Sequence, residues 1–469
     1  MKILLINICL RQDVEKILYP VGLSYVASAV HRSRHDLSII DMDADRIGYG
    51  ELEDRLRAMD FDAVGFGCIV TGYKIVKELT RIVKKVHPTA WVIVGNSVAS
   101  SVPETLLQNT AVDIAVIGEG DVTIVDVLDC LDQGGDLQTV DGIYYRDQDQ
   151  IKKTPPRKII ADIDKIPFPE WELFDVQRYL EMSCKYVSEP YPMEMEKIRA
   201  FPVNTARGCA FKCTFCYHVF RNDKYRYRSS SNIIEEISEI QKRYQVNYIN
   251  FWDELTLLSV RQTEVLMDAI LGSGLHFHWT AACRGDLFSM NDLGLLKKMK
   301  KAGCVGLGYS LESANRNILK SMNKKLDPND FVEQAKALKK AGIVSWTSLV
   351  LGYPEETEET IRETFELCYQ NDIYPSSGFL LPQPGTPIYE YARQHGYIED
   401  EEAYLMDMGD RQDLRVNLTG MSSGNLEKCV NDHLRRIRDK LKLDLSDDQL
   451  IKSGKYRAKS IPEGGQTSE

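Results

Sequence analysis

The 469-residue sequence lacks any apolar run of the roughly 18 or more residues that a membrane-spanning helix needs. It also lacks a basic excess, and its formal net charge of -11 disfavours broad electrostatic binding of nucleic acid. The 11 cysteines are scattered over a long chain and do not form the framework of a small disulfide-linked secreted domain. These absences favour a cytoplasmic protein that acts on a small-molecule or peptide substrate.

The first 145 residues alternate short apolar runs with helical patterns, as βα repeats do. The predicted strands cover residues 2–8, 37–41, 63–68, 91–94 and 113–117. Near-continuous apolar character indicates that these strands are buried on both faces of a parallel sheet. We therefore predict an α/β fold that begins with a doubly wound parallel sheet. Because the chain is longer than one hydrophobic core usually organises, further domains are expected.

A second βα series follows residue 200. Its predicted strands cover residues 203–207, 248–252, 277–282, 305–311, 345–351 and 374–381. Six parallel strands that alternate with helices predict a partial (β/α)6 barrel with its active site at the carboxyl ends of the strands. Proline-containing stretches before it indicate a linker, and charged helical sequence follows it. The predicted bounds are 1–145 for the first domain, 146–199 for the linker, 200–385 for the barrel, 386–451 for a helical region and 452–469 for a flexible tail.

Three cysteines, Cys209, Cys213 and Cys216, lie within eight residues directly after a predicted strand. Three thiolates on one loop can bind three corners of a 4Fe-4S cluster and leave the fourth iron free for a substrate or cofactor. Tetrahedral zinc needs a fourth ligand, and His218 is too near Cys216 for the usual finger spacing. Packed core cysteines are a second alternative, which the charged residues around them disfavour.

The Cys-x3-Cys-x2-Cys motif resembles the signature of the radical S-adenosylmethionine superfamily, and the resemblance covers about residues 200–381. It implies that the free iron binds the amino and carboxylate groups of S-adenosylmethionine and that Phe215 lies near the adenine. It also implies cofactor contacts for Glu312, after the fourth barrel strand, and for Gly352, after the fifth. Residues 251–254, at the end of the second strand, and Arg284, at the end of the third, are further candidates for cofactor or substrate contact.

Each of these assignments has a structural alternative. Glu312 could be a surface carboxylate in an ion pair, because charged side chains are mostly exposed. Gly352 alone would be a turn that leads into a helix cap. Arg284 and the stretch 251–254 could form structural salt bridges. The sequence identifies no catalytic acid or base.

The amino-terminal sheet could bind a dinucleotide or a cobalamin. A dinucleotide site needs Gly-x-Gly-x-x-Gly directly after the first strand, and residues 9–13 do not supply it. The stretches 19–25, 94–97, 103–104 and 117–121 resemble the cobalamin-binding domains that precede many radical S-adenosylmethionine barrels. The resemblance implies that Gly95 and Gly118, at strand exits, let the corrin and its nucleotide tail lie against backbone. Ordinary turns are the alternative.

Two departures from that pattern are visible. No Asp-x-His-x-x-Gly motif supplies a histidine beneath cobalt, and Asn96 occupies a position where a second glycine is common. The first absence is usual in this subfamily. The second leaves the site for the nucleotide tail open.

Together the resemblances imply an enzyme with a 4Fe-4S cluster, S-adenosylmethionine and cobalamin, which methylates an unactivated carbon or phosphorus centre. Such an enzyme needs an electron donor such as flavodoxin or ferredoxin. The alternatives are a radical cyclase or dehydratase, with or without cobalamin, and an iron-sulfur or cobalamin sensor. A sensor needs an output domain, and we expect none in the short sequence after residue 381.

Overall fold

A computed structural model of the protein describes residues 1–12 and 14–451, so the predicted tail over 452–469 lies outside the described residues. The first sheet has seven strands in the order β2-β1-β3-β4-β5-β6-β7. Their bounds are β1 Lys2–Asn7, β2 Asp36–Asp41, β3 Ala63–Gly67, β4 Trp91–Gly95, β5 Ile114–Val116, β6 Ile143–Asp147 and β7 Gln150–Lys153. Strands β1 to β5 pair in parallel, which confirms the predicted doubly wound sheet.

Both faces of this sheet are buried. Leu4 and Leu5 are adjacent in β1 and point to opposite faces, and both side chains are inaccessible to solvent. Helices cover the two faces because their own apolar residues recur at helical spacing. Their bounds are α1 Val21–His31, α2 Met42–Asp45, α3 Tyr49–Arg57, α4 Tyr73–Val86, α5 Asn96–Ser101, α6 Pro103–Asn109 and α7 Gly120–Asp132.

Strands β6 and β7 form an antiparallel hairpin that extends the sheet beyond β5. The sequence analysis does not predict this hairpin, because β7 has no apolar run and is half-exposed at the edge. Lys152 and Lys153 place charge on that edge, which is typical of edge strands that avoid pairing with other chains. The first part of the stretch predicted as a linker is therefore strand.

The rest of that stretch packs between the two sheets rather than extending into solvent. It includes a short helix, α8 Val176–Glu181, and the buried side chain of Trp171. The ring of Tyr19 has its centroid 5.4 Å from that of Tyr179 and 4.6 Å from that of Phe201. An aromatic core thus joins the first sheet to the start of the second.

The second sheet has six parallel strands in the order β15-β14-β13-β12-β11-β8, so consecutive strands are neighbours. The strands of this half are β8 Ala200–Val203, β9 Ala206–Arg207, β10 Arg226–Tyr227, β11 Tyr248–Phe251, β12 His278–Ala282, β13 Cys304–Glu312, β14 Val344–Leu351 and β15 Ser376–Phe379. The six predicted parallel strands are confirmed. Because all six run the same way, their carboxyl ends share one edge, where chemistry is expected.

The first predicted strand of this series, residues 203–207, is wrong in its bounds. The parallel strand β8 ends at Val203, and β9 pairs instead with β10 in an antiparallel ribbon. The break occurs because Asp253 accepts hydrogen bonds from Thr205 through its backbone N, at 2.9 Å, and its Oγ1, at 2.6 Å. This carboxylate turns the chain away from the sheet just before the cysteines.

The helices of the second half cover the outside of the parallel sheet. Their bounds are α9 Ser230–Tyr244, α10 Val260–Ser273, α11 Leu293–Lys301, α12 Arg316–Ser321, α13 Pro328–Ala341, α14 Glu358–Gln370, α15 Pro387–Gln394, α16 Glu401–Asp407 and α17 Ser423–Leu441. The amphipathic helix α17 buries Leu426, Val430 and Leu434 at helical spacing. Among the described residues, no helix is both long enough and apolar enough to cross a bilayer.

Candidate functional site

The cysteine loop, residues 209–216, begins at the exit of β9. Cys213 is buried, Cys209 is half-buried and Cys216 is exposed. Gly208 starts the loop with φ +87, and a Cβ there would lie 3.1 Å from Cβ of Phe220. Both the backbone conformation and the close approach favour glycine at this position.

Arg221 holds the cysteine loop in its shape. Its buried guanidinium donates from Nη1 to the carbonyl oxygen of Cys213, at 2.7 Å, and to that of Cys216, at 2.6 Å. Thr214 ties the same loop to the barrel, since its backbone N donates to the carbonyl of Met322 over 2.9 Å. Protein contacts on both sides of the loop therefore hold its backbone.

The donor set of this loop fits a cluster better than a single ion. Within residues 1–12 and 14–451, no three histidine, cysteine or acidic side chains converge on one ion position, as zinc requires. A 4Fe-4S cluster instead accepts each thiolate on a separate iron. Desolvation by the surrounding protein raises the pKa of Cys209 and raises that of Cys216 to about 12. Bound iron would supply the positive charge that stabilises the thiolates.

Glu312 lies at the end of β13 in a left-handed conformation, with φ 65. Its Oε1 accepts a hydrogen bond from Lys324 over 3.0 Å, and its buried Oε2 has no partner within residues 1–12 and 14–451. A positive φ outside glycine costs about 1–3 kcal/mol, and an unpaired buried polar atom costs a similar amount. Such costs are typical of a residue that awaits a ligand. These observations support the predicted contact of Glu312 with S-adenosylmethionine.

Gly352 ends β14 with φ +106, a conformation that favours glycine. Its backbone N donates to Oε2 of Glu356, and the N of Tyr353 donates to the same oxygen at 3.1 Å. The ring of Tyr353 packs edge-on to Phe215, with centroids 6.4 Å apart. The structure thus brings together two of the residues that the sequence predicts near the adenosine, Gly352 and Phe215.

Glu356 is a site residue that the sequence analysis missed. Its side chain is buried, its Oε1 has no partner, and desolvation raises its pKa to about 7. The sequence signal was present, because Glu356 follows the predicted strand exit by four residues and begins no helix. Acidic residues just before a helix are usually exposed and interact with its amino end, so the burial of this one was not expected.

Arg284 lies at the end of β12, and its guanidinium packs 4.1 Å from the ring centroid of Phe211 in the cysteine loop. It donates to the carbonyl oxygens of Lys324 and Lys325 and to Asp286. These contacts support the structural alternative, in which Arg284 positions the cysteine loop and the lysine that pairs with Glu312. Its contact with a cofactor stays a prediction.

A cavity of about 330 Å³ lies inside the barrel. Asn250 and Thr280 form its polar floor, with Oγ1 of Thr280 donating to Oδ1 of Asn250 over 2.8 Å, and Trp346 provides an apolar wall. Glu254 lines the same cavity. Burial raises its pKa, and a hydrogen bond from the backbone N–H of Gly208 offsets only part of that increase. The cavity therefore reaches from the barrel interior to the start of the cysteine loop.

The two predicted glycines of the first sheet lie at its carboxyl edge. Gly95 ends β4 and Gly118 follows β5 with φ +75, and a Cβ at either position would meet nothing within 4 Å. Asn96 adopts φ 67, the conformation that a glycine in its place would take, and its Oδ1 accepts from the backbone N of Ser97. Asparagine therefore keeps the backbone conformation that a second glycine would adopt at this edge.

Apolar side chains surround the same edge. Leu10, Ile69 and Val122 are exposed, and they follow the carboxyl ends of β1, β3 and β5. Single exposed apolar residues are ordinary, but three around one open edge are typical of a surface that accepts a ligand. The open glycines and apolar rim fit a large flat ring such as a corrin.

The three histidines of the first half lie away from this edge. His31 and His35 precede the amino end of β2, and His87 precedes the amino end of β4. Because the strands are parallel, their amino ends share the opposite edge of the sheet. The structure therefore places the histidines of residues 1–12 and 14–145 at the amino edge, and the absence of a histidine beneath cobalt stays a prediction.

The two carboxyl edges meet at one junction. Gly385, in the turn after β15 with φ +82, lies so close to Tyr217 of the cysteine-loop exit that a Cβ would be 2.7 Å from its ring. On the other side a Cβ would lie 3.8 Å from Cβ of Ser101 in the first half. The cysteine loop and the open edge of the first sheet are therefore neighbours.

Comparisons with known proteins agree with this geometry. A family model described as the radical SAM superfamily matches residues 203–368, and one described as a B12 binding domain matches residues 8–128. An uncharacterized methyltransferase, PH0819 of Pyrococcus horikoshii, is 30% identical over 376 residues, covering 80% of this chain and 78% of that protein. The anaerobic magnesium-protoporphyrin IX monomethyl ester cyclase of Cereibacter sphaeroides is 25% identical, covering 82% of this chain and 62% of that protein.

Among solved structures, the fold is similar to that of the radical S-adenosylmethionine methyltransferase TsrM from Kitasatospora setae, solved with cobalamin and a [4Fe-4S] cluster bound. The TM-score is 0.64, the sequences are 17% identical, and the match covers 85% of this chain and 75% of TsrM. At this identity the likeness shows the fold.

Proposed function

Because the chain belongs to the radical S-adenosylmethionine superfamily and carries a B12-binding domain, we propose that it methylates an unactivated carbon or phosphorus centre of a small-molecule or peptide substrate. Its cofactors are a 4Fe-4S cluster, S-adenosylmethionine and cobalamin. The observation that carries the proposal is the junction at Gly385, where the cysteine loop adjoins the open edge of the first sheet.

When bound, the cluster and S-adenosylmethionine supply a carbon-centred radical, and cobalamin supplies a transferable methyl group. The chain's own residues then have distinct roles. Cys209, Cys213 and Cys216 bind iron, and Arg221 holds the backbone of their loop through the carbonyls of Cys213 and Cys216. The free carboxylate oxygen of Glu312 accepts a hydrogen bond from the amino group of S-adenosylmethionine.

The remaining predicted contacts complete the proposed site. Phe215 and Gly352 border the adenosine, and Gly95 and Gly118 leave space for the corrin within residues 1–145. The substrate occupies the barrel cavity beside Trp346, whose apolar wall excludes water and stray hydrogen donors from the radical. A one-electron protein donor such as flavodoxin or ferredoxin supplies the reducing equivalent.

The proposal is tested with full-length protein reconstituted anaerobically with iron, sulfide and hydroxocobalamin. After reduction with titanium(III) citrate, S-adenosylmethionine that carries a deuterated methyl group is added. We expect 5'-deoxyadenosine in solution and the deuterated methyl group on the corrin, both detected by mass spectrometry. Failure of the protein to bind corrin, or cleavage without label on the corrin, would contradict methylation.

A matched pair of variants locates the corrin. Gly95 has an extended backbone and open space around it, so Gly95→Leu should fold and obstruct the carboxyl edge. Gly424→Leu, at an open position in α17, is the control. We expect corrin binding to weaken at least about tenfold in the first variant only, because the added side chain occupies the space of the ring. Equal binding in both would place the corrin elsewhere.

A radical cyclase is the second candidate function, and the likeness to a monomethyl ester cyclase favours it. The chain spans 62% of that protein's length, and we propose cyclisation for this chain as the alternative to methylation. Release of 5'-deoxyadenosine by corrin-loaded protein, with no label on either corrin or product, is the outcome that would favour this candidate.

A further inference from the structure

Arg207, in β9, contacts two carboxylates of the first half of the chain. Its Nη1 donates to Oε1 of Glu119 over 2.6 Å and to Oδ2 of Asp121 over 2.9 Å. Its Nη2 donates to Oδ1 of Asp121, also over 2.9 Å. The pairing with Asp121 is therefore bidentate, a geometry that fixes orientation as well as distance.

Arg226, in the partner strand β10, completes the group. Its Nη1 donates to Oε1 of Glu119 and to the carbonyl of Ile160, each over 2.7 Å. The other oxygen of Glu119 accepts from the backbone N of Ile160 over 2.7 Å. Glu119 thus accepts three hydrogen bonds. Two come from the arginines of the second half, and one comes from the backbone N of Ile160 in the connecting segment.

These four side chains form what we call the four-residue ion cluster: Arg207, Arg226, Glu119 and Asp121. The exposed fractions of their side chains are 16%, 6%, 5% and 13%, respectively. Two guanidinium groups face two carboxylates, so the formal charge cancels. A buried ion group of this kind often adds little net stability, because desolvation offsets attraction, but a misalignment that separates the partners leaves buried charges uncompensated, which is strongly unfavourable.

The four-residue ion cluster lies next to both proposed cofactor sites in the chain. Glu119 directly follows Gly118 at the open edge of the first sheet, and Arg207 precedes Cys209 by two residues. We propose that the four-residue ion cluster is a positioning device that sets the distance and orientation between the corrin-binding edge and the cysteine loop. This inference rests on the proposed function, since it assumes that both cofactors bind.

Other contacts keep the two halves attached when the ion cluster is removed. The aromatic contact between Tyr19 and Phe201 lies in the shared core, and Lys77 of α4 pairs with Glu402 of α16. Loss of the ion cluster is therefore expected to leave the halves joined but less accurately aligned. Misalignment by about 1 Å can lower a reaction rate a hundredfold.

The test uses Glu119→Gln and Asp121→Asn in full-length protein loaded with both cofactors. Pulsed electron paramagnetic resonance measures the magnetic interaction between the reduced cluster and cob(II)alamin. We expect unchanged iron and cobalt contents, a broader distribution of this interaction, and at least about tenfold less methyl transferred per 5'-deoxyadenosine released. Lys77→Gln, which removes a different ion pair between the halves, should change neither quantity.

Two results would overturn the inference. One is an unchanged interaction and transfer ratio in both carboxylate variants, and the other is loss of a cofactor from them, which would indicate a binding role. Hydrogen exchange of residues 117–121 and 206–216, measured without corrin, should accelerate in both variants and not in Lys77→Gln. This second measurement tests the alignment even if the unaltered protein binds no corrin, a result that would contradict only the proposed function.

Discussion

Lys324 donates a hydrogen bond from Nζ to Oε1 of Glu312 over 3.0 Å, and both side chains are buried. The pair leaves Oε2 of Glu312 without a hydrogen-bond partner among the residues that the structure describes. The lysine holds one carboxylate oxygen and leaves the other available to a ligand. The carboxylate is therefore prepared for a cationic group such as the amino group of S-adenosylmethionine.

Replacing Glu312 by glutamine should weaken S-adenosylmethionine binding roughly tenfold to a hundredfold, because a hydrogen bond to a charged group contributes about 1.5–3 kcal/mol. The iron content should not change, since Glu312 is not an iron ligand in this assignment. Equilibrium binding to the reconstituted protein measures the effect. Glu427→Gln, at an exposed position of α17, is the control, and equal affinities in the two variants would remove Glu312 from the site.

Replacing Cys209, Cys213 and Cys216 together by alanine should abolish the absorption of the cluster near about 400 nm and all cleavage of S-adenosylmethionine. Cys130→Ala and Cys368→Ala serve as controls, because these thiols lie in helices α7 and α14. They should lower stability slightly and leave the iron content unchanged. Intact absorption in the triple variant would disprove the central assignment.

The cob(II)alamin form should show no nitrogen hyperfine splitting from a protein imidazole in its paramagnetic resonance spectrum. The reason is positional, since His31, His35 and His87 lie at the amino edge of the first sheet, opposite Gly95 and Gly118. A weakly held lower face of cobalt suits methyl transfer, because ligand identity tunes the potential of the metal. Protein with uniformly 15N-labelled histidine, compared with unlabelled protein, shows whether any splitting originates from a histidine.

Glu356→Gln should change how thermal stability depends on pH. The pKa of Glu356 is raised from 4.5 to about 7, so its protonated form favours the folded state. That stabilisation is fully present below pH 4.5 and is lost as the pH rises through about 7. Glutamine keeps an acceptor for the N–H groups of Gly352 and Tyr353 and cannot ionise.

Relative to the unaltered protein, the glutamine variant should therefore gain up to about 3 kcal/mol between pH 4.5 and pH 8. Unfolding temperatures measured anaerobically across this range report the difference. A difference between the two proteins that stays constant with pH would show that Glu356 does not titrate in this window.

Gly352→Ala should destabilise the protein by about 1–3 kcal/mol, because φ +106 is strained for any residue with a Cβ. Steric crowding is not the cause of this destabilisation, because the added Cβ would lie 3.7 Å from Cβ of Leu380, an ordinary van der Waals contact. Gly272→Ala, at an open position in the last turn of α10, should instead stabilise by about 0.4–1 kcal/mol. The opposite signs in a thermal unfolding experiment separate backbone strain from a general effect of the substitution.

Much of the fold was predictable because it follows from local patterns. Leu4 and Leu5 belong to an apolar run that can be buried only inside a parallel sheet, and Val76, Leu79 and Val83 repeat at the helical period. The hairpin of β6 and β7 was not predicted, since Lys152 and Lys153 carry no such period. Edge strands are held by backbone pairing, which leaves little trace in the sequence.

The candidate site, like the fold, was predictable only where it depends on a local sequence pattern. The cysteine spacing predicts the metal ligands directly, because Cys209, Cys213 and Cys216 need only one loop to come together. Glu356 was missed because its burial depends on how α17 packs against the exit of β14, and no local pattern reports that packing. Arg284 was predicted as a cofactor contact, but its observed partners are the backbone carbonyls of Lys324 and Lys325.

The sequence by itself determined the parallel strands, the three thiols and the open glycines at Gly95 and Gly118, since each is a property of a short segment. Only the tertiary structure decided that Glu119 meets Arg207, which follows it by 88 residues. It also decided that the histidines of the first half lie at the far edge of its sheet. The physical reason is that contacts between distant segments depend on strand order and helix packing, which place side chains in space independently of their local sequence pattern.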